Sequence, residues 1–101
     1  MANDIAVSHS TTPFVSAYPW SPGFGTKYSN PATLPTGTGW GVAFAGTADI
    51  AVAHTTSPFI TTYPWTPGTG FGTKYTNPAT LPASAGEGVA FAGTADIAVA
   101  H

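Results

Sequence analysis

The amino-acid sequence predicts an all-β protein built from repeated four-stranded units. Three observations carry this: a charge-poor composition rich in Thr, Gly and Pro, an internal repeat, and alternation of apolar and small residues within each repeat. Among 101 residues, charged side chains make up only 6%, against roughly 25% in an average soluble domain. Gly, Pro and β-branched residues interrupt every window of about 11 residues, which leaves no room for a stable helix. The whole chain, 1–101, reads as a single segment of two units.

The repeat spans residues 4–48 and 49–95. DIAVSHSTTPFVSAYPWSPG aligns with DIAVAHTTSPFITTYPWTPG at an offset of 45, and after an insertion near Thr69–Gly70 the offset becomes 47. FGTKYSNPATLP then matches FGTKYTNPATLP, and GVAFAGTAD recurs at 41–49 and 88–96. Of 45 aligned pairs 33 are identical, and only Trp40 against Glu87 changes chemistry outright, so both copies should encode one local structure. A third copy of the opening segment, DIAVAH, fills 96–101.

Each unit reads as four strands. GVAF (88–91) is the first, with Val89 and Phe91 on one face, and AGTA turns the chain. DIAVAH (96–101) is the second, alternating Ile97, Val99 and His101 against alanines. After the TTSP turn, FITTYPW (59–65) is the third, rich in β-formers. FGTKY (24–28 and 71–75) is expected to be a fourth, polar edge strand guarded by Lys27 or Lys74. A Pro/Gly-rich connection leads to the next unit. Counted along the chain this makes nine strands, beginning and ending in mid-unit.

Four antiparallel strands per unit of about 45 residues is the blade of a β-propeller. GVAFAGTADIAVAHTTSPFITTYP resembles the WD-repeat family pattern, with Val89, Ala90 and Phe91 on the inner strand, Ile97 and Val99 on the second, and Ile60 and Tyr63 on the third. Tyr18 and Tyr63 take that family's Trp position, and Pro19 and Pro64 its Asp position. The family's Gly-His pair is absent. The pattern is closer still to divergent Thr/Pro-rich propeller repeats of phage and metagenomic viral proteins. That resemblance implies a structural role without catalysis, in a virion-associated or extracellular setting.

Repeat arrays need about three units for stability, and propellers close with about 4–8 blades. The expectation is therefore a propeller built by oligomerisation, two four-stranded blades per chain, with the chain itself as partner. The trimer is favoured over the tetramer. Asp4, Ile5, Val7 and His9 of one copy should meet Val89, Phe91, Ile97, Val99 and His101 of the next. Nine strands exceed the eight that two blades need, so one terminal copy, Asn3–His9 or Ala95–His101, should be displaced. A fragment of a longer propeller would carry the same features.

Chemistry is sparsely encoded. With two basic residues there is no footprint for nucleic acid or an anionic membrane surface. No cysteine supplies a thiolate. No nucleophile elbow or phosphate loop occurs, so no catalytic residue, metal site or cofactor is assigned and the chain does not read as an enzyme. His9, His54 and His101 share a repeat position and should bond loop backbone, while Asp4, Asp49 and Asp96 should cap turns. The alternative function is lectin-like. Aromatics on one rim, Tyr18, Trp20, Trp40, Tyr63 and Trp65, could stack the apolar faces of glycans, with avidity from the ring; the stronger expectation for Trp20 and Trp65 is that each caps its own blade or fills the gap to the next.

Overall fold

The computed structural model describes residues 3–101. Over this range the chain forms eight strands and no helix: β1 (Asn3–Ser8), β2 (Val15–Trp20), β3 (Gly39–Ala45), β4 (Asp49–His54), β5 (Ile60–Thr66), β6 (Gly70–Phe71), β7 (Gly88–Ala92) and β8 (Asp96–Ala100). They make three antiparallel sheets, ordered β1-β2, β3-β4-β5-β6 and β7-β8. The protein is all-β, as its composition and alternation predict.

The ladders reproduce the repeat. Ile5 pairs with Tyr18 and Val7 with Ser16 in the first sheet, and their counterparts Ile50 with Tyr63 and Val52 with Thr61 in the second. On the other side of β4, Phe44 pairs with Ile50, and Phe91 pairs with Ile97 in the third sheet. Because side chains alternate along a strand, Phe44, Ile50 and Tyr63 share one face of the central sheet. Ala43, Ala51 and Thr62 share the other.

This division into a bulky face and a small face governs the packing. Ala6 and Ala17 of the first sheet lie in one apolar cluster with Ile50, Tyr63, Trp65, Phe44 and Phe71 of the second. β3 lies between β1 and β7. The approach to β7 is so close that a Cβ on Gly41 would come within 3.0 Å of the Gly88 Cα.

The fourth strand differs from expectation. FGTKY does not form a strand over 24–28 or 71–75: only Gly70–Phe71 pairs, with Trp65–Thr66, and the first copy keeps a single Trp20–Phe24 bridge. Eight strands result rather than nine. Pro19 and Pro64 lie within the third strand of each unit, and proline has no N–H to donate to a fourth strand on its other side. The segment instead reaches back through Gly25 N–H to Pro19 O and Tyr28 N–H to Ala17 O (2.7 and 2.9 Å), with Gly72–Pro64 and Tyr75–Thr62 repeating the bonds. β5 starts one residue later than FITTYPW suggests, because Phe59, like Phe14, turns with φ near 71°.

Candidate functional site

The geometry of interest lies at two seams between sheets. At the first, Asp4 from β1 holds both neighbours. Tyr28 OH donates to its Oδ1 (2.6 Å), and Trp65 Nε1–H donates to its Oδ2 (3.1 Å). The Tyr28 oxygen accepts the Gly68 N–H (3.2 Å). Trp65 stands edge-on to Tyr28, Phe44 and Phe71, with ring centroids 5.0–5.1 Å apart, the geometry aromatic quadrupoles favour. Burial, then the carboxylate of Asp4, pushes the Tyr28 phenol above its ordinary value.

The connection after Tyr28 seals the same seam. Tyr63 OH donates to the Thr33 carbonyl (2.7 Å), and burial pushes its phenol well above the usual range. Thr36 Oγ1 donates to Ser57 O (2.8 Å), and Pro35 is fully buried. His54 is buried too; its Nε2 is 2.7 Å from Thr61 Oγ1, and burial lowers its pKa below the ordinary value. His9 makes the matching bond to Ser16 Oγ (2.9 Å). His9 and His54 thus bond hydroxyls on the adjacent strand, His54 meeting the loop backbone at Thr56 as well, and Asp4 binds distant side chains rather than capping a turn. Spacing along one strand could not reveal partners 24 and 61 residues away.

The second seam repeats half of this. Tyr75 OH donates to Asp49 Oδ1 (2.6 Å), which raises the tyrosine pKa. No indole reaches Asp49 among the described residues. On the same seam Tyr75 helps to line a groove of about 450 Å3 between Ile60 and Thr62 of β5, the connection 75–82, Ile97 and Val99 of β8, and His101. At the opposite end of the molecule, Val7, His9, Ser16, Tyr18 and Phe24 line a second concavity of about 410 Å3. There Phe24 stands edge-on to both Tyr18 and Trp20 (5.1 and 5.2 Å).

Of the residues expected at a subunit interface, Ile5, Val7 and His9 fall at the first end and Ile97, Val99 and His101 at the other. Val89 and Phe91 are half-buried on β7, and Asp4 is spent within the chain. The rim of binding aromatics needs correction. Tyr63 and Trp65 are buried in the first seam and offer no face to a ligand, whereas Trp20 and Trp40 are exposed and Tyr18 is half-buried. Their burial follows from the bulky face of one sheet meeting the small face of the next. Tyr28, Tyr75, Thr33 and Phe24 were not singled out by sequence reasoning, because FGTKY reads as a polar edge. The recurrence of Tyr four residues after Phe in both FGTKY copies was the available signal. Among the described residues no group of three His, Cys, Asp or Glu converges to hold a metal.

Comparison with known proteins returns no match: no family model, no curated protein and no solved structure is significantly similar to this chain.

Proposed function

We propose that the chain is a self-assembling structural module without catalysis, whose copies associate head to tail and close into a propeller-like ring of the viral type its repeats resemble. The observation that supports this is the match between the two ends. The first sheet and the turn after it expose Val7, Trp20 and Phe24 and leave Tyr18 half-buried; these four are the counterparts of Val52, Trp65, Phe71 and Tyr63. Those four are the residues that fill or back the seam inside the chain. Between the central sheet, the connection 75–82 and the last sheet lies the groove into which such residues would fit. A head-to-tail contact closes when its rotation does, and closure would hide apolar surface of the kind that marks interaction sites.

Native mass spectrometry and light scattering test the reading. Three copies of the 10.2 kDa chain are expected, ahead of four; a monomer at micromolar concentration overturns it. A second reading, glycan binding, is favoured by the exposed indoles of Trp20 and Trp40. It predicts glycan-array signals that vanish in Trp20→Ala with Trp40→Ala while the mass is unchanged.

A further inference from the structure

We propose that the groove beside β8 is the seat of a second copy's β1–β2 hairpin, which displaces β8, pairs its β1 with β7, and places its Trp20 indole on Asp49. This rests on the head-to-tail reading above and adds which strand gives way and which residues meet.

The occupant is identified by the chain's own filled seam. There, Asp4 accepts one bond from Tyr28 and a second from Trp65 of the following sheet. Asp49 stands at the equivalent position with Tyr75 already on Oδ1, and Oδ2 has no hydrogen-bond partner among the described residues. The residue equivalent to Trp65 is Trp20, which is exposed in one copy. Tyr18, equivalent to Tyr63, would likewise donate to the Thr80 carbonyl, as Tyr63 does to that of Thr33. Thr80 lines the groove. An N–H donor bonded to a carboxylate in an apolar seam is among the stronger hydrogen bonds available.

Two near-identical strands, β1 and β8, compete for the place beside β7, and their anchoring differs. β1 is held by six ladder pairs to β2, by Asp4 on Tyr28 and Trp65, and by His9 on Ser16. β8 has five pairs to β7, exposes four of its five residues, and Asp96 makes no side-chain hydrogen bond among the described residues. Exchanging β8 for β1 of another copy conserves the ladder on β7, since DIAV is common to both. The exchange adds β2 and Phe24 as cover for the groove. Such exchange of equivalent elements is a low-cost route to assembly.

Cysteine cross-linking decides the matter, since the chain has no cysteine of its own. By the β7–β8 register, Ala90 faces Ala98; after exchange it would face Ala6 of the second copy. Antiparallel partners have Cα atoms about 4.5–5.5 Å apart, within disulfide range. The expected result is that the double variant Ala6→Cys with Ala90→Cys oxidises to covalently linked chains of the native oligomer's mass. Carboxypeptidase should then trim 96–101 without dissolving the oligomer. In the competing arrangement β8 stays and pairs with the incoming β2, so Ala17→Cys with Ala98→Cys links chains instead. That outcome, with the native mass retained, overturns this inference and leaves the head-to-tail reading standing. A monomeric chain that links in neither variant overturns both. Trp20→Phe, which keeps a ring but removes the donor, should weaken assembly by about tenfold per interface, and no further in an Asp49→Ala background, which removes the acceptor; full additivity of the two would count against the contact.

Discussion

The two copies of the repeat are written in nearly the same residues and end in opposite states. Trp65 is 4% exposed and its counterpart Trp20 37%. Val52 is fully buried while Val7 is 43% exposed, and Tyr28 at 9% stands against Tyr75 at 46%. The connection NPATLP is the same in both copies, yet Pro31 and Pro35 are buried and Pro78 is exposed. No local preference separates the copies. What differs is the neighbour: the first seam has a full sheet on its bulky side, while the second has only two strands. Burial here belongs to position in the array, as in repeat proteins where each unit is stabilised by its interface with the next.

The widest separation should come from truncating the two equivalent indoles. Trp65→Ala should cost about 3–5 kcal/mol, a large share of the roughly 5–15 kcal/mol of a domain this size. It should be read as a fall in the urea midpoint. Trp20→Ala should leave the fold of a dilute single chain almost unchanged and remove assembly instead. Equal losses of stability in the two variants would abolish the contrast between the copies.

The glycines at the start of β3 and just before β7 probe a place where the copies agree. A Cβ on Gly39 would collide with the Phe14 carbonyl, and one on Gly86 with that of Phe59. Gly39→Ala and Gly86→Ala should each cost about 1–3 kcal/mol by overpacking. A harmless Gly86→Ala would mean that the second copy is looser than its backbone bonds, such as Gly86 N–H to His54 O at 3.0 Å, indicate.

The aspartates sharpen the comparison further. Asp4→Ala strands the Tyr28 hydroxyl and the Trp65 N–H inside the filled seam, at about 1–3 kcal/mol. Asp96→Ala, at the same repeat position, should stay within about 0.5 kcal/mol in a single chain. Thermal melts of the two variants side by side give the difference.

The smallest effect is that of pH. Burial of His54 lowers its pKa below the ordinary 6.5, so the unfolded chain binds this proton more readily than the folded one. Stability is therefore fully present above about pH 6.5 and declines as pH falls below it, towards the depressed folded value. Melts between pH 7.5 and 5 should show this slope, and His54→Gln should flatten it. A slope of opposite sign would contradict a buried neutral imidazole.

Much of the architecture was legible. Ile50, Val52 and His54 against Ala51 and Ala53 announce β4 through alternation alone, and the repeat carries that reading to β1 and β8. The turns follow from Gly and Pro. The fourth strand was not legible. FGTKY has strand-like residues, but whether it pairs depends on the donors of β5, and Pro64 removes one. The candidate site was legible in kind rather than in place. The Tyr-Pro-Trp triplets stood out in the sequence, but the side of a seam on which each indole falls is set across sheets.

By itself, the sequence determined the period, the strands and the face each side chain takes, because these depend on residues two to five positions apart. Only the tertiary structure decided which Asp meets which Trp, which tyrosine is buried, and where apolar surface is left uncovered. Those outcomes depend on which sheet stands next to which, a relation between segments tens of residues apart. Identical repeats cannot encode it, since each copy carries the same instructions and only its neighbours differ.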